Sequence, residues 1–388
     1  MQAKLIGIGA AGNKAAMLAI EEGVFTRDQV MLLNTTSKDM REEYNDINTT
    51  FGKGPGGCGK ERNLAKKLIY DCIKEESINF DGFLDPQDDT VVIVSSSEGG
   101  TGCGASTIIA RYFKQVLGAN VHLVVFTGFE EDSRGLKNTV EYFQDLNEEY
   151  TVEAISNKKF LSTSKNKQEA ENKANYEFVK RMRVYLGLDI VDSYQNIDDT
   201  DLLKINITPG FMTIETAELP KIKNTQEFIN FIDAMIDDTK SLDFESTAKR
   251  IGVFFNITER TQSINLDNSI IKEKLGEPFE FFTHIQTCPK DSIETVSIIA
   301  SGIKMPIDEV ESVYNTYLER TAKVDKSKDS FFESLSTLEV ALEDKMFDLE
   351  NREVSTTDKA KKAFFVENEE LDNTIIVGKK KTAKLEDF

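Results

Sequence analysis

Short apolar runs, interrupted by polar residues only at His122 and Glu153, recur through the first half of the chain. Residues 5–8, 30–33, 91–94, 121–126 and 152–155 read as five strands. Between them, residues 14–22, 64–73, 105–117 and 136–146 carry apolar positions three and four apart and read as helices. Runs that are apolar at nearly every position belong to strands covered on both faces, so the pattern predicts a parallel sheet sandwiched by helices. Such sheets bind ligands at the carboxyl ends of their strands. A long helical pattern follows over 169–193. Beyond it, 203–212, 252–257 and 279–285 read as strands and 225–236 and 293–301 as helices, which predicts a smaller α+β unit. Met305-Pro306-Ile307 opens a further helix, since proline is tolerated in a first turn. Phe331, Leu335, Leu338, Leu342 and Leu349 then fall close to a heptad seam, with Lys345 out of pattern. From about 355 the chain is polar, without period, and reads as a tail ending in the basic cluster Lys379-Lys380-Lys381.

The fold class expected is therefore α/β, organised as a nucleotide-type parallel-sheet domain over 1–168 and a central helix over 169–195. A second domain over 196–304, helices over 305–352 and a tail over 353–388 complete it.

Charge narrows the function classes. The 388 residues carry 67 Asp and Glu against 47 Lys and Arg, a formal net charge of −20. Such a body repels phosphate backbones, so direct DNA binding by it is not expected. With only His122 and His284, histidine-based triads have little material. Cys58, Cys72, Cys103 and Cys288 form no C-x-x-C pair, which argues against a zinc ribbon and for free thiols. No apolar run approaches the roughly 18 residues of a membrane span, and a cytoplasmic location is expected.

Three glycine-rich loops carry the candidate chemistry. Gly7-Ile8-Gly9-Ala10-Ala11-Gly12 matches G-x-G-x-x-G, but Asn34-Thr35 stands where a nicotinamide-binding chain needs an acidic residue after its second strand. A dinucleotide oxidoreductase is thereby disfavoured. Ser97-Glu98-Gly99-Gly100-Thr101-Gly102-Cys103-Gly104 follows a strand and opens a helix, without the G-K-[ST] of a P-loop. Four glycines in six positions are not expected to be core packing. Their backbone N–H groups, with the Thr101 hydroxyl, would form an anion nest. The third loop, residues 52–60, holds Gly56 and Gly57. Three such loops imply a polyphosphate ligand.

The run from Gly99 to Gly104 resembles the G-G-T-G-x-G signature of the tubulin/FtsZ superfamily. Asn34 matches the asparagine after that family's second strand, and Phe129-Glu130-Glu131-Asp132-Ser133-Arg134 resembles its F-E-x-x-x-R segment. Asn157 falls in a segment like P-N-x-K-L-L, and Asn196-Ile197-Asp198-Asp199-Thr200-Asp201 matches N-x-D-x-x-D. The pieces at 34–39 and 57–62 look closest to the TubZ branch found on plasmids and phages.

The resemblance implies a filament-forming GTPase using GTP, GDP and Mg²⁺. Gly9, Ala10, Ala11, Asn13, Asn34, Gly56, Gly57, Gly99, Gly100, Thr101, Gly102, Cys103 and Gly104 would hold the phosphates and their surroundings. Glu130 would hold the ribose, with Arg134 and Asn157 close by, and Asn175 would read the base. Asn196, Asp198 and Asp201 would reach the next subunit's nucleotide as catalytic residues, with no metal ligand assigned to the protein. Head-to-tail self-assembly and a DNA-binding adaptor at the C-terminal region are the implied partners, and positioning of plasmid or phage DNA the implied task. A division-ring protein like FtsZ, or a nucleotide-binding regulator without turnover, are the alternatives. Two departures stand out: Glu98 replaces the signature's first glycine, and Thr127-Gly128 replaces the usual Pro-Phe before the ribose segment.

Overall fold

The structure, a computed structural model, describes residues 3–321 except 39, 53–56, 85–89, 147–148, 190–196, 198 and 242–246. The heptad-like seam and the basic tail lie outside the described residues, as do Gly56, Asn196 and Asp198.

The expected strands form the first half of one sheet: β1 (Lys4–Ile8), β2 (Val30–Asn34), β4 (Thr90–Ser96), β5 (Asn120–Thr127) and β6 (Thr151–Ser156), with a short edge strand β3 (Asn48–Thr50) not foreseen. Their order is β3-β2-β1-β4-β5-β6, all parallel. Helices α1 (Gly9–Glu21), α2 (Arg62–Lys74), α3 (Thr101–Gln115) and α4 (Ser133–Gln144) connect them. Successive strand residues point to opposite faces, and each face has its own core. Ile6, Ile8, Ile69, Ile108 and Phe143 share one, under α2, α3 and α4; Leu5, Ala16, Met17, Phe178 and Met182 share the other.

The central helix α5 (Lys167–Tyr185) starts at Asn166, whose side chain accepts the Glu169 N–H at 2.9 Å, while Glu169 accepts the Lys165 N–H at 2.9 Å. This reciprocal cap fixes the entry point. The helix stops eight residues short of the expected 193, because Gly187 turns left-handed at φ 70°.

Two expectations for the second half are corrected. Residues 203–206 are not strand: they complete helix α6 (Asp199–Asn206), and β7 (Gly210–Glu218) begins only at Gly210, whose φ is 114°. Residues 295–301 are not helix but part of β10 (Thr295–Ile303), which lies between β7 and β8 (Arg250–Ile257). Buried on both faces, Val296, Ile298, Ile299 and Ala300 leave no alternation to betray a strand. Helices α7 (Thr225–Asp237), α8 (Glu259–Gln262) and α9 (Ser269–Leu275), strand β9 (Glu280–Thr287) and helix α10 (Ile307–Thr321) complete the described chain. The sheet runs unbroken into this half, as β6-β7-β10-β8-β9, through a parallel pairing of Thr151–Glu153 with Gly210–Met212.

Candidate nucleotide-binding site

The candidate residues collect along one edge of the sheet. Asn34 ends β2, Gly9 follows β1, residues 97–100 follow β4, Gly128 and Glu130 follow β5, and Asn157 follows β6. All are carboxyl ends of adjacent parallel strands, where α/β sheets bind ligands.

Two helices begin there without a side-chain cap: α1 after Ile8 and α3 after Gly100. Their first N–H groups therefore lack a side-chain acceptor and, with the helix dipoles, favour an anion. The two ends nearly touch. Gly9 is left-handed at φ 72°, and a Cβ on it would stand 3.0 Å from the Gly102 nitrogen. Ala10 is exposed and Ala11 and Thr101 half-buried on this face.

The glycines divide by role. A Cβ on Gly104 would fall 2.3 Å from the Arg62 carbonyl oxygen, and one on Gly12 2.1 Å from that of Val94. These two let α3 approach α2 and α1 approach β4, so part of the glycine run is core packing after all. A Cβ on Gly100 would meet Lys60 Cα at 2.8 Å, which seats the third loop on the second. Within the run from 99 to 104 only Gly99 is nearly open, with Ser96 Oγ at 3.2 Å. Gly57, at φ 65°, lies beside Thr35 and Thr36.

Polar contacts lock the loops. Thr35 Oγ1 and Thr101 Oγ1 share a 2.7 Å hydrogen bond between β2 and α3. Cys58 is buried beside them; burial pushes its thiol up, against the pull of the Thr35 and Thr101 hydroxyls. Buried Cys103 is likewise pushed up to about 12 by burial, and its Sγ donates to the Asn138 carbonyl at 3.3 Å. It is a packing thiol. Asn13 is fully buried, its Nδ2 donating to the Leu33 carbonyl at 3.2 Å while its Oδ1 has no partner. Asn34 is also buried, and its Nδ2 has no acceptor, an unused donor at the end of β2.

Asn138 and Thr139 escaped the sequence reading. Asn138 Nδ2 faces the carbonyls of Lys60 and Glu98, each at 3.1 Å, and of Gly99 at 3.3 Å, while Thr139 Oγ1 bonds Ser97 Oγ at 2.8 Å. The available signal was a polar pair on the buried side of an amphipathic helix, between Leu136 and Val140.

The rim cations are already paired: Lys60 with Asp132, Arg134 with Glu61, and Lys158 with Glu130 at 2.8 Å. Asn157 is half-buried at the end of β6, and Asn175 is half-buried on α5, which packs against α1. Asp201 lies elsewhere: it pairs with Lys204 at 3.1 Å on α6, which packs on β8 and β10. The structure thus does not bring it to the glycine loops through neighbouring strands. Among the described residues no cluster of three or more His, Cys, Asp or Glu side chains fits a metal ion.

A parallel sheet with these loops at its carboxyl edge, a central helix and a β7-β10-β8-β9 extension is the tubulin/FtsZ fold. The chain is 26% identical over 312 residues to the cell division protein FtsZ of Mycoplasmopsis pulmonis, covering 77% of each. It superposes on the GTPγS-bound protofilament of CetZ2 from Haloferax volcanii with a TM-score of 0.67 at 17% identity, over 83% of this chain and 100% of that one. It superposes equally, at 0.67 and 16% identity, on the GTPγS-form protofilament of TubZ from Bacillus thuringiensis serovar israelensis, over 83% and 93%. No protein-family profile matches the chain. The resemblance to the tubulin/FtsZ superfamily is borne out, with TubZ among the structures matched rather than set apart from CetZ.

Proposed function

We propose that the chain is a GTP-dependent, self-assembling GTPase that hydrolyses GTP to GDP and phosphate when stacked head to tail. The observation that carries this reading is the meeting of two uncapped helix N-termini, α1 and α3, inside glycine loops on the sheet's carboxyl edge. The triphosphate would lie on N–H groups of residues 9–11 and 99–104, with Thr101 and the free Asn34 amide beside it. Glu130 would take the ribose, Asn157 and Arg134 would lie near it, and Asn175 would take the base. Magnesium, expected with the nucleotide, meets no cluster of three or more His, Cys, Asp or Glu side chains among the described residues and would be held chiefly by the phosphates.

Asp201, Asp198 and Asn196 would act on the next subunit's nucleotide, where ionised carboxylates orient and polarise the attacking water. The placement of Asp201 on α6, several strands from the glycine loops, favours a site completed between subunits. A contact of this head-to-tail kind does not close, so it builds filaments. The protofilament form of the CetZ2 and TubZ relatives supports the same reading. In this proposal the units 1–168, 169–195, 196–304, 305–352 and 353–388 keep the roles expected from the sequence. The filament works in the cytoplasm and positions plasmid or phage DNA through an adaptor bound at the C-terminal region.

The test is phosphate release from GTP against protein concentration, with light scattering on the same samples. A threshold at which both rise together is expected. Turnover proportional to protein from the lowest concentration, without scattering, would overturn the shared site.

A further inference from the structure

The two departures from the family pattern, Glu98 and Gly128, are in contact. A Cβ on Gly128 would stand 1.9 Å from the Glu98 carboxyl carbon and 2.0 Å from its Oε2. A Cβ on Gly135, at the start of α4, would stand 3.2 Å from the same carbon. The Glu98 side chain therefore fills the space that side chains at 128 and 135 would take. Its backbone stays in the phosphate loop, where its carbonyl meets Asn138, while its Oε1 accepts the Glu130 N–H at 2.8 Å. Glu130 is one of three non-glycine residues with positive φ among the described residues, at 58°. A left-handed residue of this kind is strained and is held by what surrounds it. Here the holding group is a carboxylate reaching over from the neighbouring loop, and the Glu130 side chain is thereby presented to Lys158 at 2.8 Å.

We propose that Glu98 is a positioning residue that couples the phosphate loop to the ribose segment by fixing Glu130, and that residue 128 is glycine to make room for it. This rests on the nucleotide reading above. It replaces the bulk expected at 128 with a reach from position 98, so the two positions must change together.

Two measurements on the full chain test it. The first is equilibrium binding of fluorescent GTP. Glu98→Leu, which removes the acceptor, should weaken binding by about tenfold, the scale of one charge-assisted hydrogen bond. Glu98→Gln, which keeps an acceptor oxygen, should recover most of that loss. Equal loss in both variants, or no loss in Glu98→Leu, would overturn the proposal.

The second is a melting cycle without nucleotide, comparing Gly128→Ala, Glu98→Gly and the double variant. Gly128→Ala should lower the melting temperature, or prevent folding, only while Glu98 is present. Additive losses would overturn the pairing. Because the cycle needs no nucleotide, failure of the wild-type chain to bind GTP would sink the functional reading while leaving the cycle to judge the contact.

Discussion

The Arg62 carbonyl oxygen occupies the place of a Gly104 side chain: a Cβ on Gly104 would lie 2.3 Å from it, with Ala65 Cβ at 2.8 Å. Here α3 and α2 pack backbone to backbone. Gly104→Ala should therefore destabilise the fold by about 1–3 kcal/mol, the scale of overpacking. Gly99→Ala meets only Ser96 Oγ and should shift stability by less than about 0.5 kcal/mol. It should weaken nucleotide binding instead. Urea unfolding of both variants, beside nucleotide titration, checks the division. Equal destabilisation would mean the run is structural throughout.

Asn138 stands behind the same loop. Its amide nitrogen carries two hydrogens and faces three carbonyls, those of Lys60, Glu98 and Gly99. Those bonds turn the Glu98 and Gly99 carbonyls toward α4. Asn138→Ala strands buried acceptors, at about 1–3 kcal/mol, and should raise the dissociation constant for GTP by about tenfold. Titration of the variant at matched folded fraction reads this directly. An unchanged constant would show that the loop holds its shape without the clamp.

A buried ion network joins the two halves of the sheet. Arg181 on α5 reaches Glu153 on β6 at 2.7 Å, Glu215 on β7 at 2.9 Å, Glu177 at 3.0 Å and Ser241 Oγ at 2.8 Å. Burial holds the Glu215 carboxyl above its usual range despite Arg181. Burial acts on Glu177 in the same sense, but Arg181 and Lys180 outweigh it and bring that carboxyl below its usual range. Removing the guanidinium leaves uncompensated carboxylates, at about 3–5 kcal/mol. Arg181→Leu should lose that much stability at neutral pH and regain part of it as the carboxyls protonate in mild acid. Denaturant unfolding at two pH values measures both, and a loss independent of pH would point to packing instead of charge.

Most of the first half was legible because its signals are local. Apolar runs gave β1, β2, β4, β5 and β6, and glycine loops gave the edge where the site lies. What failed to show depended on partners distant in sequence. β10 looked helical because burial on both faces erased its alternation. The division of the glycines between packing and ligand approach needed the position of the α2 backbone, 42 residues before Gly104 in the case of Arg62. Asn138 and Glu98 act across 32 to 78 residues of chain, beyond any spacing rule.

Asp201 tests the division of labour between subunits. It is partly exposed and bonded to Lys204 on α6, away from the strands that carry the glycine loops. Asp201→Ala should leave GTP affinity within about twofold of the wild type, since no phosphate contact of its own subunit is removed. Turnover should fall by two orders of magnitude or more, about the worth of a positioned general base. Sedimentation should then show filaments that assemble and persist. Loss of nucleotide binding would place Asp201 in its own subunit's pocket.

The Glu98 carboxyl also gives a pH signature with a definite sign. Burial raises it above the usual 4.5; the Glu130 and Phe129 N–H groups and Lys60 pull it down, and Asp132 pushes it up again. A carboxyl raised in the folded state prefers its proton there. Its contribution to stability is complete below the unfolded value and is lost as pH climbs through the folded one. Above the folded value the wild type therefore carries a disfavoured, partly buried charge that Glu98→Gln lacks. The variant should unfold at nearly the same temperature as the wild type near about pH 4, and at a higher temperature near about pH 7.5. The gap should open between the unfolded and folded values and then stay level. A variant less stable at neutral pH would mean that the charge itself, held by the Glu130 N–H and Lys60, outweighs the burial.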